Sequence, residues 1–235
     1  MRKGEDMTSG QGPHAKAIVF LLLVLSATTG LVDAASVLGL GKVFTANMTG
    51  NIVFLGFALA GTPGFSWPLY VVALLFFMGG AGAGGRICKV QAPLGRRRWL
   101  LWAGTIEAIL FGLAAACALA SGRSPAEIVV MAMIALTAAA MGFRNATVRQ
   151  LKVADLTTTV LTLTITGLAA DSTVASGGGN PNLGRRFGAV LAILLGALAG
   201  ALLVLHTGLA LPLALAGLIT FVATVALAND LPAQG

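Results

Sequence analysis

Three ionisable side chains fall inside apolar stretches of this sequence: Asp33, Glu107 and Arg144. A charge in such surroundings needs a partner or water. Insertion scales put an unpaired Asp at the centre of a membrane helix at a cost of about 2.5–3.5 kcal/mol. Glu107 follows the basic run Arg96-Arg97-Arg98 by between two and three helical turns. Arg144 lies at a comparable depth on the next, antiparallel run, so an ion pair between the two is geometrically allowed. Asp33 or Glu107 could hold a proton or cation. The structural alternative has Glu107 and Arg144 setting helix register, Asp33 bonding an exposed helix end, and Arg144 snorkelling to the interface.

Hydroxyls and amides form a second set. Thr45 and Thr49 are spaced i, i+4, with Asn47 and Asn51 between and beyond them, and Thr158, Thr162 and Thr166 repeat that spacing over two turns, with Asn145 upstream. Such a face can line a polar path, and broken helix ends would add free N–H and C=O groups able to hold an ion or a small molecule. Threonine can also bond back to its own helix carbonyl and need no ligand. Six threonines between positions 157 and 166 exceed that need, which favours a lined cavity. Cys88 and Cys117 are isolated, His14 and His206 are far apart, and no metal spacing, HExxH, P-loop or Gly-x-Ser-x-Gly element occurs. No cofactor and no enzymatic activity are expected.

The elements that must position these residues follow from composition. Of 235 residues, 57% are hydrophobic and 10% charged, with a mean hydropathy of +0.91. So few charges cannot cover a water-facing surface, so the lipid bilayer is the expected solvent. Lipid requires internally satisfied backbones, and long continuous apolar runs exclude a barrel. The fold class is therefore all-α, a polytopic transmembrane bundle. The net charge of +7 is assigned to orientation and anionic headgroups and not to nucleic acid.

Apolar runs cover 17–40, 47–61, 67–85, 99–120, 126–145, 156–170, 187–205 and 209–228. The second and sixth are too short for a bilayer that needs about 20 residues per helix. If both enter and leave on one side, with the N-terminus inside, thirteen of the fifteen basic residues fall inside, and only Lys42 and Arg123 lie outside. Letting the sixth run span gives eleven to four, so seven crossings stay open while six are preferred. Residues 1–15 read as a polar cytoplasmic tail. A signal peptide is the rival reading of the first run.

Two halves, 16–122 and 123–235, carry related features. Gly30–Ala34 parallels Gly142–Ala146 at an offset of 112, and the short runs occupy matching places. Gly80 and Gly84 match Gly196 and Gly200 as GxxxG helix-packing pairs, one of which could also serve a homodimer. An odd number of crossings per half makes the repeat inverted. The segments Gly30–Ala34, Val43–Asn51, Met141–Ala146 and Thr157–Thr166 resemble the YoaK-type family of small bacterial membrane proteins. The resemblance implies a multi-pass protein of the bacterial inner membrane and no known activity. Arg144 stands where that pattern has a glutamine, and Leu163 where a second Thr-Gly is expected. The expected function is transport of a small molecule or ion through a Thr/Asn-lined site between two repeats. The alternative is a non-transporting scaffold, sensor or assembly partner.

Overall fold

A computed structural model describes residues 13–91, 95–122, 124–151, 161–172, 175, 177 and 182–230. Among them are eight helices of ten residues or longer and no strand. Six are long and apolar enough to cross a membrane: α1 (Pro13–Gly39), α3 (Trp67–Gln91), α4 (Arg96–Ser121), α5 (Glu127–Leu151), α7 (Leu183–Thr207) and α8 (Ala210–Asp230). Two are short, α2 (Met48–Leu59) and α6 (Leu161–Ala170). At 12 and 10 residues they reach about 18 and 15 Å, half of a ~30 Å hydrocarbon core.

Several helices outrun their apolar stretches at one end. Helix α3 continues through Arg86 and Lys89, α4 begins at Arg96, and α5 runs on past Arg144 to Arg149. Long basic side chains are good helix formers that carry the backbone into the headgroup zone while their charges reach water.

Helices α1, α4, α5 and α8 form the centre, and α3 and α7 flank it with most of their surface outward. The closest-packed pairs are α3 on α5, α1 on α7 and α4 on α8; α4 also packs on α5 and α1 on α8. Small residues dictate the first two seams. A Cβ added at Gly80 would strike the carbonyl oxygen of Ala139, and one at Gly84 would crowd Phe143 and Ala146. In the other seam, a Cβ at Gly196 would strike the Ala27 carbonyl oxygen, and one at Gly200 would crowd Leu31 and Ala34. Gly142 and Gly30 answer from the opposite sides, against Phe77 and Ile193. All four predicted packing glycines are thus consumed within the chain, which removes them as the route to a homodimer.

A cavity of about 730 Å³ at one end gathers Gly39 of α1, Ser121 of α4 and His206 of α7, all C-terminal, with Ala210 at the start of α8 and Met133 in α5. At the other end Lys89 and Gln150, late in α3 and α5, meet Arg96 at the start of α4. Helices α1, α4 and α7 therefore run one way and α3, α5 and α8 the other. Lys16, Arg86, Lys89, Arg96–Arg98, Arg149, Arg185 and Arg186 share one end, opposite Lys42.

Candidate functional site

The polar groups collect in two separate places. The first lies at the turn after α1. Gly41 and Lys42 both have positive φ there, 84° and 61°, and reverse the chain towards α2. Asp33, half-buried on α1, uses one carboxylate oxygen, Oδ1, to accept the backbone N–H groups of Thr45 (3.1 Å) and Ala46 (3.0 Å). Asn51, fully buried on α2, brackets Phe44: its Oδ1 accepts the Phe44 N–H at 2.9 Å and its Nδ2 donates to the Phe44 carbonyl at 2.6 Å. Asn47 caps α2 by accepting the Gly50 N–H at 3.3 Å. The buried part of this turn cannot leave its backbone groups bare, and Asp33 and Asn51 satisfy them.

The second place is the centre of the bundle. Arg144 is wholly buried on α5. Its Nε donates to Glu107 Oε2 of α4 at 2.7 Å, and its Nη2 donates to Thr220 Oγ1 of α8 at 2.7 Å. On α1, its Nη1 donates to Thr28 Oγ1 (2.8 Å) and lies within 3.3–3.4 Å of the Leu25 carbonyl and Thr29 Oγ1. The guanidinium also lies 5.5 Å from the Phe111 ring centroid. Four helices therefore converge on one cation. An apolar layer of Leu21, Leu22, Trp99, Leu100 and Leu151 closes the basic end. Another, with Val32, Ala114, Met141, Leu213 and Ala216, closes the opposite end.

The expected ion pair forms, but Arg144 does not snorkel, because the converging hydroxyls of α1 and α8 give it a buried environment that a single helix cannot offer. Asn145 beside it bonds its own helix at Met141 (2.9 Å). The Thr/Asn set does not assemble as a single site. Thr45 lies in the turn before α2, so it shares no helical face with Thr49, which is exposed. Thr162 and Thr166 are exposed on α6, where Thr164 is the buried residue. Thr158 lies outside the described residues. Helix α2 packs on α3 and α6 on α7, and the two short helices do not touch each other. The glycine seams explain this: by drawing α3 onto α5 and α7 onto α1, they put the long helices at the centre and carry the short ones to the periphery. Helix α6 is tied instead by Arg186 of α7, which donates to the Gly167 carbonyl (2.7 Å) and to Asp171 (2.6 Å).

Thr28, Thr29 and Thr220 were not among the expected site residues. A trace of Thr220 lay in the sequence, since Ala103-Gly104-Thr105-Ile106-Glu107 aligns with Ala216-Gly217-Leu218-Ile219-Thr220.

Residues 21–226 match the family described as a protein of unknown function, DUF1275. The chain is similar to the UPF0700 transmembrane protein YoaK of Bacillus subtilis (strain 168), at 31% identity over 157 residues. That stretch is 64% of this chain and 65% of the length of the Bacillus protein. No solved structure matches the chain.

Proposed function

The chain is a multi-pass membrane protein that belongs to the DUF1275 family, and we propose that it transports a small anionic solute across the cytoplasmic membrane, with Arg144 as the binding cation. The observation that carries this reading is the guanidinium itself, fully buried between two apolar layers and bonded from three other helices. An intramembrane charge at such a position is by default a candidate for a solute pathway. An anion that displaces Glu107 would find the Thr220 hydroxyl beside it, while the Thr28 and Thr29 hydroxyls, which donate to the Leu25 carbonyl, hold the guanidinium from the other side.

An inverted repeat of 16–122 and 123–235 supports the same reading. Exchanging α1–α4 for α5–α8 turns α3 on α5 into α7 on α1, α4 on α5 into α8 on α1, and α2 on α3 into α6 on α7. The seam glycines Gly80 and Gly196 are 116 positions apart, as are Gly84 and Gly200, while their targets Ala139 and Ala27, and Phe143 and Leu31, are 112 apart. Paired helices run in opposite directions. Glu107 and Thr220 are 113 apart and hold Arg144 between them, which puts the cation at the junction of the halves. Related halves meeting at a polar midplane site suit alternating access.

Purified protein in liposomes tests this, with acetate, sulfate and phosphate as probe anions and an internal pH dye as readout. Flux of at least one anion is expected, reduced severely in Arg144→Gln and partly retained in Arg144→Lys. Absence of flux for every probe, or full flux in a folded Arg144→Gln protein, overturns the proposal. The complete enclosure of Arg144 favours a second reading, a static scaffold whose ion pair sets helix register. Glu107→Leu combined with Arg144→Met separates the two, because a scaffold tolerates that swap and a transporter does not.

A further inference from the structure

We propose a binding site for an anionic phospholipid at the basic end of the bundle, between α3, α4 and the last turn of α5, independent of the transport reading. A cavity of about 510 Å³ there is lined by Gly85, Cys88, Lys89, Arg96, Trp99 and Gln150, with no carboxylate among these residues. Trp99 is only 6% exposed, and its buried indole N–H meets the Cys88 thiol outside good hydrogen-bonding geometry. The neighbouring Cys88 thiol is at best a weak acceptor. A buried donor held only by so weak an acceptor is under-satisfied. An ammonium, a guanidinium and an amide around one hollow, with a tryptophan indole in its wall, suit a multiply accepting anion, and phosphate has that chemistry. Orientation of the protein by its positive charges accounts for lysines and arginines at this end, but not for an enclosed tryptophan N–H beside an open space.

The adjoining surface argues for a lipid over a free phosphate. The stripe of α4 that bears Arg96 and Trp99 continues at helical spacing to Ile106 and Leu110. Those two, with Phe76, Gly79, Ala83 and Ile87 of α3, line an apolar groove of about 510 Å³ floored by Phe143 of α5. A Cβ at Gly79 or Gly85 would meet nothing within 4 Å, so the groove is open along α3. From Arg96 to Leu110 the stripe covers about 21 Å, more than the ~15 Å of one leaflet's hydrocarbon. Headgroup donors and an acyl-length groove thus share one helix face. The corresponding ends of α7 and α8, from Ala201 to Leu215, contain no lysine or arginine. Packing the bundle therefore does not itself require these donors.

The full-length protein, stripped of lipid in detergent, is titrated with dioleoylphosphatidylglycerol, dioleoylphosphatidylcholine, glycerol 3-phosphate and inorganic phosphate, and binding is read by native mass spectrometry and thermal shift. Phosphatidylglycerol is expected to bind and stabilise the protein in preference to phosphatidylcholine. Lys89→Gln with Arg96→Gln removes the preference. Trp99→Phe, which deletes only the N–H, weakens binding roughly ten-fold, the value of one hydrogen bond to a charged group. Ala83→Phe, at an exposed position in the groove, weakens the phospholipid without unfolding the protein. Equal binding of both phospholipids, or unchanged binding in Trp99→Phe and in the double variant, overturns the proposal. So does stabilisation by inorganic phosphate or glycerol 3-phosphate equal to that by phosphatidylglycerol and indifferent to Ala83→Phe, which marks a soluble-anion site.

Discussion

Asp33 and Glu107 both sit in the interior of spanning helices, yet their surroundings satisfy them by different means. Asp33 accepts two neutral N–H groups that lie 12 and 13 positions further along the chain. Glu107 accepts from a guanidinium on the following helix, which itself reaches α1 and α8. The first arrangement closes a turn, and its consequences stay local. The second joins four helices through one buried cation, so disturbing it disturbs the bundle. A buried acid held by backbone restrains the segment that holds it, whereas one held by another charge couples everything that second charge touches.

The largest expected effect comes from breaking the charge pair. Glu107→Ala leaves Arg144 buried without its counter-charge and should cost about 3–5 kcal/mol, read by denaturant unfolding in detergent. Adding Arg144→Met to Glu107→Leu should recover most of that loss. If the costs of the two sites simply add, Glu107 and Arg144 are not coupled and the contrast with Asp33 disappears. The seams that bring the four helices together come next. Gly80→Ala and Gly196→Ala each drive a methyl into a backbone carbonyl and should cost about 1–3 kcal/mol, in similar amounts for the two halves. A melting temperature lowered by only one of them would show that the seams are unequal.

Asp33 should be milder and local. Asp33→Ala strands two N–H groups at a cost of about 1–3 kcal/mol, and Asp33→Asn, which retains an acceptor oxygen, should cost less. Hydrogen exchange discriminates here: Asp33→Ala should speed exchange at Thr45 and Ala46 alone, while Glu107→Ala should speed it in α1, α4, α5 and α8 together. Widespread acceleration in the Asp33 variant would merge the two classes. The smallest effects belong to Thr49→Leu and Thr162→Leu, exposed residues whose loss should change stability by no more than about 0.5 kcal/mol and leave anion flux intact.

Residue types and run lengths alone dictated the spanning helices, the two short ones and the segregation of basic residues. Bilayer thickness sets a minimum helix length, and the cost of stranding charge sets where lysines and arginines can lie. The pairing of Glu107 with Arg144 was also legible, from matched depth on consecutive helices. The outward placement of Thr162 and Thr166, the enclosure of Arg144 and its bonds to Thr28 and Thr220 emerged only from the packed bundle. In water, an apolar stripe tells which face of a helix is buried. In lipid, the buried and outer faces are both apolar, so rotation about the helix axis is decided by where backbones can approach. Gly80, Gly84, Gly196 and Gly200 make that decision here, and the polar contacts follow from it.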